Sequence, residues 1–282
     1  MKLFIGTAQF GFKYGLNKTK IKKLEIKNIE KILKKHSLKK FDTAMNYGES
    51  EKIIGNLKIK KKVITKIKLP KKKPKDLKKW FEKKLNKSLK KLKVKSLHGL
   101  LIHDTTDILG KNKEFLNILL DCQKKKLISK LGISVYEVDE IKRILKFWKP
   151  EIIQMPINIF DHRFLNNNFL YKLKKLNIEL HARSCFLQGV LLEKKIKTES
   201  LNSKKIFSSF LNWCQKKQIS KLEACIHFVK KIREIDYLIV GFNNSSHLKE
   251  IINSFNKKLI LVPDDFLSNE KSLIDPRRWK IN

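Results

Sequence analysis

The 282-residue chain reads as an α/β protein of the (β/α)8 TIM-barrel class. Three observations predict this. Eight short apolar runs recur along the chain, segments of helical period lie between them, and nearly every run closes on a polar residue. Barrels of this class carry their chemistry at the C-terminal ends of the strands, so the polar closures point to one mouth.

The runs, in order, are Leu3 to Ala8, Lys39 to Ala44, Lys62 to Lys66, His98 to Asp104, Ser129 to Ser134, Glu151 to Pro156, Ile178 to Ser184 and Asp236 to Gly241. Apolar residues at three- and four-residue spacing mark helices over Ile21 to His36, Asp76 to Leu92 and Glu137 to Trp148. Pro70 and Pro74 hold the lysine-rich stretch after the third run out of a helix until Lys75. Asn166 to Asn168 read as a loop. No linker or low-complexity block interrupts the alternation, so residues 1–282 are expected to form a single barrel. Residues 261–282 are expected as a tail over one of its ends.

Composition bounds the partners. With 41% apolar and 33% charged residues and no apolar run near the roughly 20 residues of a membrane helix, the chain is expected to be cytoplasmic and to have no membrane partner. Its four cysteines lack CxxC spacing, which argues for reduced, buried thiols rather than a zinc site or disulfides. The formal net charge of +38 would suit a polyanion, yet only six of the 65 basic residues are arginine, the residue that reads bases bidentately. The lysines fall mainly on polar helix faces throughout the chain. No specific nucleic-acid partner is expected, only weak binding at low salt.

The chemistry centres on FDTAMNYGESE, Phe41 to Glu51, where Asp42 closes the second run and Tyr47 stands in the loop before a helix. Lys66 ends the third run and His103 lies at the end of the fourth. At one mouth, Lys66 held by Asp42 is expected to lower the pKa of Tyr47 so that its hydroxyl gives a proton to a carbonyl oxygen. His103 would hold that oxygen and stabilise the developing alkoxide. No metal is required; a bound nicotinamide would supply hydride.

These residues resemble a family. The pattern D-T-A-x-x-Y-G with S-E following, together with Thr65-Lys66 and Leu101-Ile102-His103, is similar to the aldo-keto reductase superfamily, and the likeness runs from Gly6-Thr7-Ala8 to the loop after Gly241. The resemblance implies that Asp42, Tyr47, Lys66 and His103 are the catalytic tetrad. It implies that Gly6, Thr7 and Ala8 run along the cofactor, that Ser134 and Gln154 hold the nicotinamide carboxamide, and that Arg183 contacts the cofactor from strand seven. Gly241, Asn243, Ser245, His247 and Glu250 would wrap the adenosine phosphates. NADP(H) is implied ahead of NAD(H), with an aldehyde, ketone or keto-sugar as the small-molecule carbonyl substrate. The chain departs from the family's habits in three places: Val135 follows Ser134, Arg183 stands where many members stack an aromatic ring, and His247 stands where NADPH-preferring members commonly carry arginine.

Other readings stand beside this one. A barrel that binds the cofactor as a sensor or partner subunit, with little turnover, is the alternative. Asp104 and Asp107 with Asp42 would suit a glycosidase but leave Tyr47 and Lys66 without a role. His98, five residues before His103, falls on the opposite strand face. His162, Arg183 and Gln188 are expected around the substrate, while Asp161 and Arg163 serve equally well as an internal pair.

Overall fold

Period-two alternation sorts each strand residue to one of two layers, and here it separates a barrel lumen from an outer core. The computed structural model describes residues 1–16, 18–109, 113–196 and 200–278. Its strands are β1 (Lys2–Gly6), β2 (Lys40–Asp42), β3 (Lys62–Ile67), β4 (Gly99–Ile102), β5 (Leu131–Ser134), β6 (Ile152–Pro156), β7 (Glu179–Arg183) and β8 (Tyr237–Val240). All pair in parallel in sequence order, and β8 closes on β1, which completes the barrel. Every predicted run overlaps one strand, with β1 starting one residue earlier and β3 ending one residue later than expected.

Inside the barrel, Phe4, Ile64, Leu101, Ile152 and Ile239 form an apolar plug. Two residues further along the same strands, on the same face, stand Gly6, Lys66, His103, Gln154 and Gly241. The alternation that fills the lumen therefore also delivers the polar mouth. Residues of opposite phase, such as Val63, Leu100, Ile133, Ile153 and Leu180, join the outer core beneath the helices.

The helices are α1 (Ala8–Gly11), α2 (Lys23–Lys35), α3 (Ser50–Asn56), α4 (Leu77–Leu92), α5 (Lys113–Lys124), α6 (Val138–Leu145), α7 (Phe169–Lys175), α8 (Leu201–Lys216), α9 (Lys221–Lys230), α10 (Ser245–Asn256) and α11 (Lys271–Ile274). Their starts follow capping chemistry. Asp76 accepts from the Lys79 amide at 2.8 Å to open α4, and Glu137 with Glu140 forms a capping box at α6. Lys93, at φ 55°, ends α4 in the left-handed conformation. Between β7 and β8 the chain places two helices, α8 and α9, rather than one. Asn167 and Asn168 turn the chain at φ 57° and 55° before α7, as the loop reading required.

The tail lies against the C-terminal end of the barrel. Phe266 packs edge-on against Phe210 and Trp213, Ser268 donates its amide to the Phe160 carbonyl, and Arg277 stacks on Tyr136 in the loop after β5. The last four expected tail residues, 279–282, lie outside the described residues. All four cysteines are free and buried. Among the described residues no helix is long and apolar enough to cross a membrane.

Candidate active site

The loop after β2 is stitched to its neighbours before any side chain is considered. Thr43 donates its amide to the Ile64 carbonyl and Met45 to the Lys66 carbonyl, both at 2.9 Å, which ties this loop to β3. Gly11 and Gly48 meet where the loop crosses α1. A Cβ on Gly11 would lie 1.7 Å from the Tyr47 carbonyl oxygen, and Gly48 turns at φ +51°, so neither position admits a side chain without moving Tyr47.

Buried hydroxyls hold the same loop from below. The Thr7 hydroxyl donates to the Asp42 carbonyl at 2.9 Å, and the Ser50 hydroxyl reaches Thr7 Oγ1 at 2.8 Å and Thr43 Oγ1 at 3.0 Å. Glu51 Oε1 accepts from Thr65 at 2.9 Å and from Ser88 at 2.6 Å, fixing α3 to β3 and α4. The S-E that follows Tyr47 and Gly48 in the sequence is thus framework, and Asp42 and Tyr47 before it face the pocket.

At the mouth, Lys66 Nζ donates to Asp42 Oδ1 at 2.5 Å and to the Thr43 carbonyl at 3.0 Å. Gln154 Nε2 donates to Asp42 Oδ2 at 2.8 Å, so the carboxylate is held on both oxygens. Lys66 Nζ stands 5.5 Å from the Tyr47 ring centroid, and the His103 ring meets that of Tyr47 edge-on at 6.0 Å between centroids. Phe12 packs on the Tyr47 ring's surroundings, also edge-on, at 5.5 Å.

The electrostatics revise one expectation. Burial, followed by the influence of Tyr14 and Asp42, pushes the Tyr47 hydroxyl well above the ordinary phenol range, with Arg183 opposing it. Burial outweighs any lowering by Lys66, whose Nζ is held by Asp42. Burial also lowers Lys66's own pKa, against the attraction of Asp42. Tyr47 is therefore a firmly protonated phenol near neutral pH. His103 falls to about 3, from burial first and then from the cations Lys66 and Arg183, and so is neutral.

One pocket gathers thirteen of the fifteen predicted site residues: Asp42, Tyr47, Lys66 and His103, with Gly6, Thr7 and Ala8, then Ser134, Gln154, Arg183, Gly241, Asn243 and His247. Two fall outside it. Ser245 gives its amide to Glu25 Oε2 at 2.8 Å, and Glu250 is exposed on α10 away from the pocket. Of the residues expected around the substrate, Gln188 lines the pocket but His162 does not; it is buried, stacked on Phe228, with Nε2 bonded to the Ile159 carbonyl at 2.8 Å. Arg163 grips Asp161 through Nε and Nη2, an internal pair. Asp104 pairs with Lys68 at 2.6 Å and Asp107 accepts the Leu69 amide at 2.7 Å, which removes both from the mouth.

Sequence reasoning missed the walls contributed by loops. Tyr14, Gly15, Leu16 and Thr19 come from the loop between α1 and α2, where Tyr14 and Thr19 form an antiparallel bridge. Leu16 donates its amide to the Gln188 carbonyl at 3.0 Å, and the Thr19 hydroxyl donates to Asn243 Oδ1 at 2.8 Å, so this loop spans the pocket. Tyr136 closes the side beyond β5. The turn residues Gly15 and Gly189, at φ +78° and +100°, were the one available signal.

A nicotinamide fits this pocket by the donors and acceptors it leaves open. Gln154 Oε1 and His103 Nδ1 are buried without a protein partner, and both face the lumen above the apolar plug. Ser134, in register with Gln154 across β5 and β6, stands beside them. An amide ligand with both donor and acceptor matches that set.

The chain belongs to the aldo/keto reductase family, whose model matches residues 2–267. It is an oxidoreductase of nicotinamide-dependent carbonyl reduction with the (β/α)8 fold of that family. Among solved structures it is similar to the holo form of the aldo-keto reductase AKR11C1 from Bacillus halodurans, with a TM-score of 0.73, 16% identity, and 92% of this chain and 88% of that one covered. It is also similar to the glycerol dehydrogenase AKR11B4 from Gluconobacter oxydans, with a TM-score of 0.68, 19% identity, and 92% and 87% covered. A search of curated proteins found no match.

Proposed function

We propose that the chain reduces a small carbonyl compound to the alcohol with Tyr47 as the proton donor. The observation that carries this is the meeting, in one pocket, of a protonated phenol, a neutral imidazole and a buried Lys66–Asp42 pair. A reduced nicotinamide, when bound here, would supply the hydride for the carbonyl carbon. Tyr47 gives its hydroxyl proton to the carbonyl oxygen, the C=O π electrons becoming the new O–H bond. His103, neutral, offers a ring N–H to that oxygen and orients it. Lys66 and Asp42 fix the charge beneath the Tyr47 ring, and the Lys66 cation stabilises the phenolate left after transfer. Ser134 and Gln154 Oε1 would hold the carboxamide, with Gly6, Thr7 and Ala8 along the cofactor.

For the cofactor we propose an order different from the one the resemblance implied, on two observations at the adenosine end. Lys66 and Arg183 are the only Lys or Arg side chains among the described pocket residues, in a chain otherwise dense with lysine. A carboxylate, Glu25, holds the Ser245 amide at the start of α10, where a 2′-phosphate would seek that donor. We therefore place NADH ahead of NADPH, and the protein in the cytoplasm where both are carried.

The test of the proton donor is Tyr47→Phe. The account expects kcat/KM to fall about 100- to 10,000-fold while cofactor affinity stays nearly constant. Wild-type turnover in that variant would remove Tyr47 from its role.

A further inference from the structure

The inward-facing positions of β7 carry Glu179, His181 and Arg183 in succession, and their charges are treated differently. Glu179 meets Lys130 at 2.5 Å and His181 at 2.7 Å. Arg183, at the mouth, has no carboxylate within ion-pair distance among the described residues. Its Nη2 donates to the Val135 carbonyl at 3.0 Å and its Nη1 to the Ser184 hydroxyl at 3.3 Å, so neutral acceptors take two of its five N–H groups.

The other well-anchored arginines behave as structural ones do. Arg163 is matched by Asp161 and Glu137, and Arg277 by Asp275. Arg183 is nonetheless held in place. Its guanidinium lies 4.2 Å from the Tyr136 ring centroid, and Arg277 from the tail lies 3.7 Å from the same ring, so Tyr136 is sandwiched between two guanidinium groups. A fixed, half-buried cation with free donors in a pocket is costly until an anion meets it.

Asp42 does not supply that anion, since Lys66 and Gln154 already occupy its two oxygens. The cation is felt at the reacting groups: it opposes the rise of the Tyr47 pKa and contributes to the lowering at His103. The planar fork of a guanidinium matches carboxylate and phosphate oxygens in pairs.

We infer that Arg183 selects a carbonyl substrate bearing its own negative group, a carboxylate or a phosphate, and seats that group while the carbonyl faces Tyr47. This rests on the carbonyl-reductase reading above and assigns Arg183 to the substrate rather than to the cofactor. The reaction balances as before: the substrate carbonyl gains a hydride at carbon and a proton at oxygen, NADH becomes NAD+, and the anionic group is unchanged.

The experiment compares anionic and neutral partners of similar carbon skeleton at saturating NADH: succinic semialdehyde against butanal for a carboxylate, and glyceraldehyde 3-phosphate against glyceraldehyde for a phosphate. The expected result is a kcat/KM at least tenfold higher for one anionic member over its neutral partner, carried mainly by KM. In Arg183→Gln that ratio falls toward one, and in Arg183→Lys part of it returns. The pair that shows the preference identifies carboxylate or phosphate as the group recognised. NADH affinity of Arg183→Gln, read by nicotinamide fluorescence, separates the alternatives. Equal rates for both members of both pairs overturn the assignment to substrate while leaving carbonyl reduction standing. A loss of NADH affinity in Arg183→Gln as large as its loss of kcat/KM assigns the arginine to the cofactor and overturns the inference as well. No turnover of any of the four, with NADH bound, overturns the carbonyl-reductase reading on which it rests.

Discussion

The two ends of the barrel lumen are built from similar residues and finished in opposite ways. At the N-terminal end, Glu179 is shared by Lys130 and His181, Asp236 takes Lys174 at 2.6 Å and the Leu180 amide at 2.8 Å, and Lys40 donates to the Tyr237 hydroxyl at 2.6 Å. Its carboxylates are matched by cations and Lys40 by the Tyr237 hydroxyl and ring, with His181 Nδ1 the buried ring nitrogen left over there among the described residues. At the C-terminal end, the Asp42–Lys66 pair is complete, but Arg183, Gln154 Oε1 and His103 Nδ1 are left with capacity to spare. Paired charges hold the barrel; the open ones await a ligand. The division follows the rule that such barrels keep stability at one face and chemistry at the other.

Breaking the matched pair at the mouth has the largest expected effect. Lys66→Met strands Asp42 as a buried carboxylate, and chemical denaturation should show a loss of about 3–5 kcal/mol together with loss of turnover. A stability change below about 1 kcal/mol would show that Asp42 finds water or another partner.

At the opposite end, Glu179→Gln should cost on the order of 2 kcal/mol at neutral pH and leave kcat/KM unaltered. The pH dependence has a definite sign. Hydrogen bonds from His181 and Lys130, outweighing burial, hold the Glu179 carboxyl down at about 2. Its stabilisation is therefore complete above its unfolded pKa and is lost as pH falls toward 2. The gap between wild type and variant should shrink from pH 5 to pH 2; a gap that widened on acidification would contradict the pairing.

The fold was legible because two periods are written plainly in the chain. Alternation placed Ile64 and Lys66, Leu101 and His103, and Ile152 and Gln154 on single faces, and the capping residue Asp76 marked where α4 begins. That Asp42, Tyr47, Lys66 and His103 would meet at one mouth was legible for the same reason. Other features depend on contacts between distant segments. Glu25 reaches Ser245 across 220 residues of sequence, and Tyr14 meets the site through a loop whose course no periodicity records. The resemblance implied Glu250 as a phosphate-end contact, yet its place on α10 leaves it exposed and outside the pocket. The behaviour of Tyr47 was misjudged because its burial is not a property of the local sequence.

That burial sharpens the contrast in solution. With His103 neutral down to about pH 3 and Tyr47 protonated beyond its ordinary range, kcat/KM for reduction should be flat from about pH 5 to 9. A limb near pH 7 would assign the essential proton elsewhere. The smallest effect is expected from Arg277→Ala, which frees the outer face of Tyr136 and should cost about 0.5–1 kcal/mol of stability. Thermal unfolding measures it.

The most direct test of the mouth as a nicotinamide site is a fluorescence titration of the purified protein with NADH and with NADPH, at salt high enough to screen the surface lysines. The account predicts saturable one-to-one binding with NADH the tighter. Failure of both to bind would contradict it at its centre.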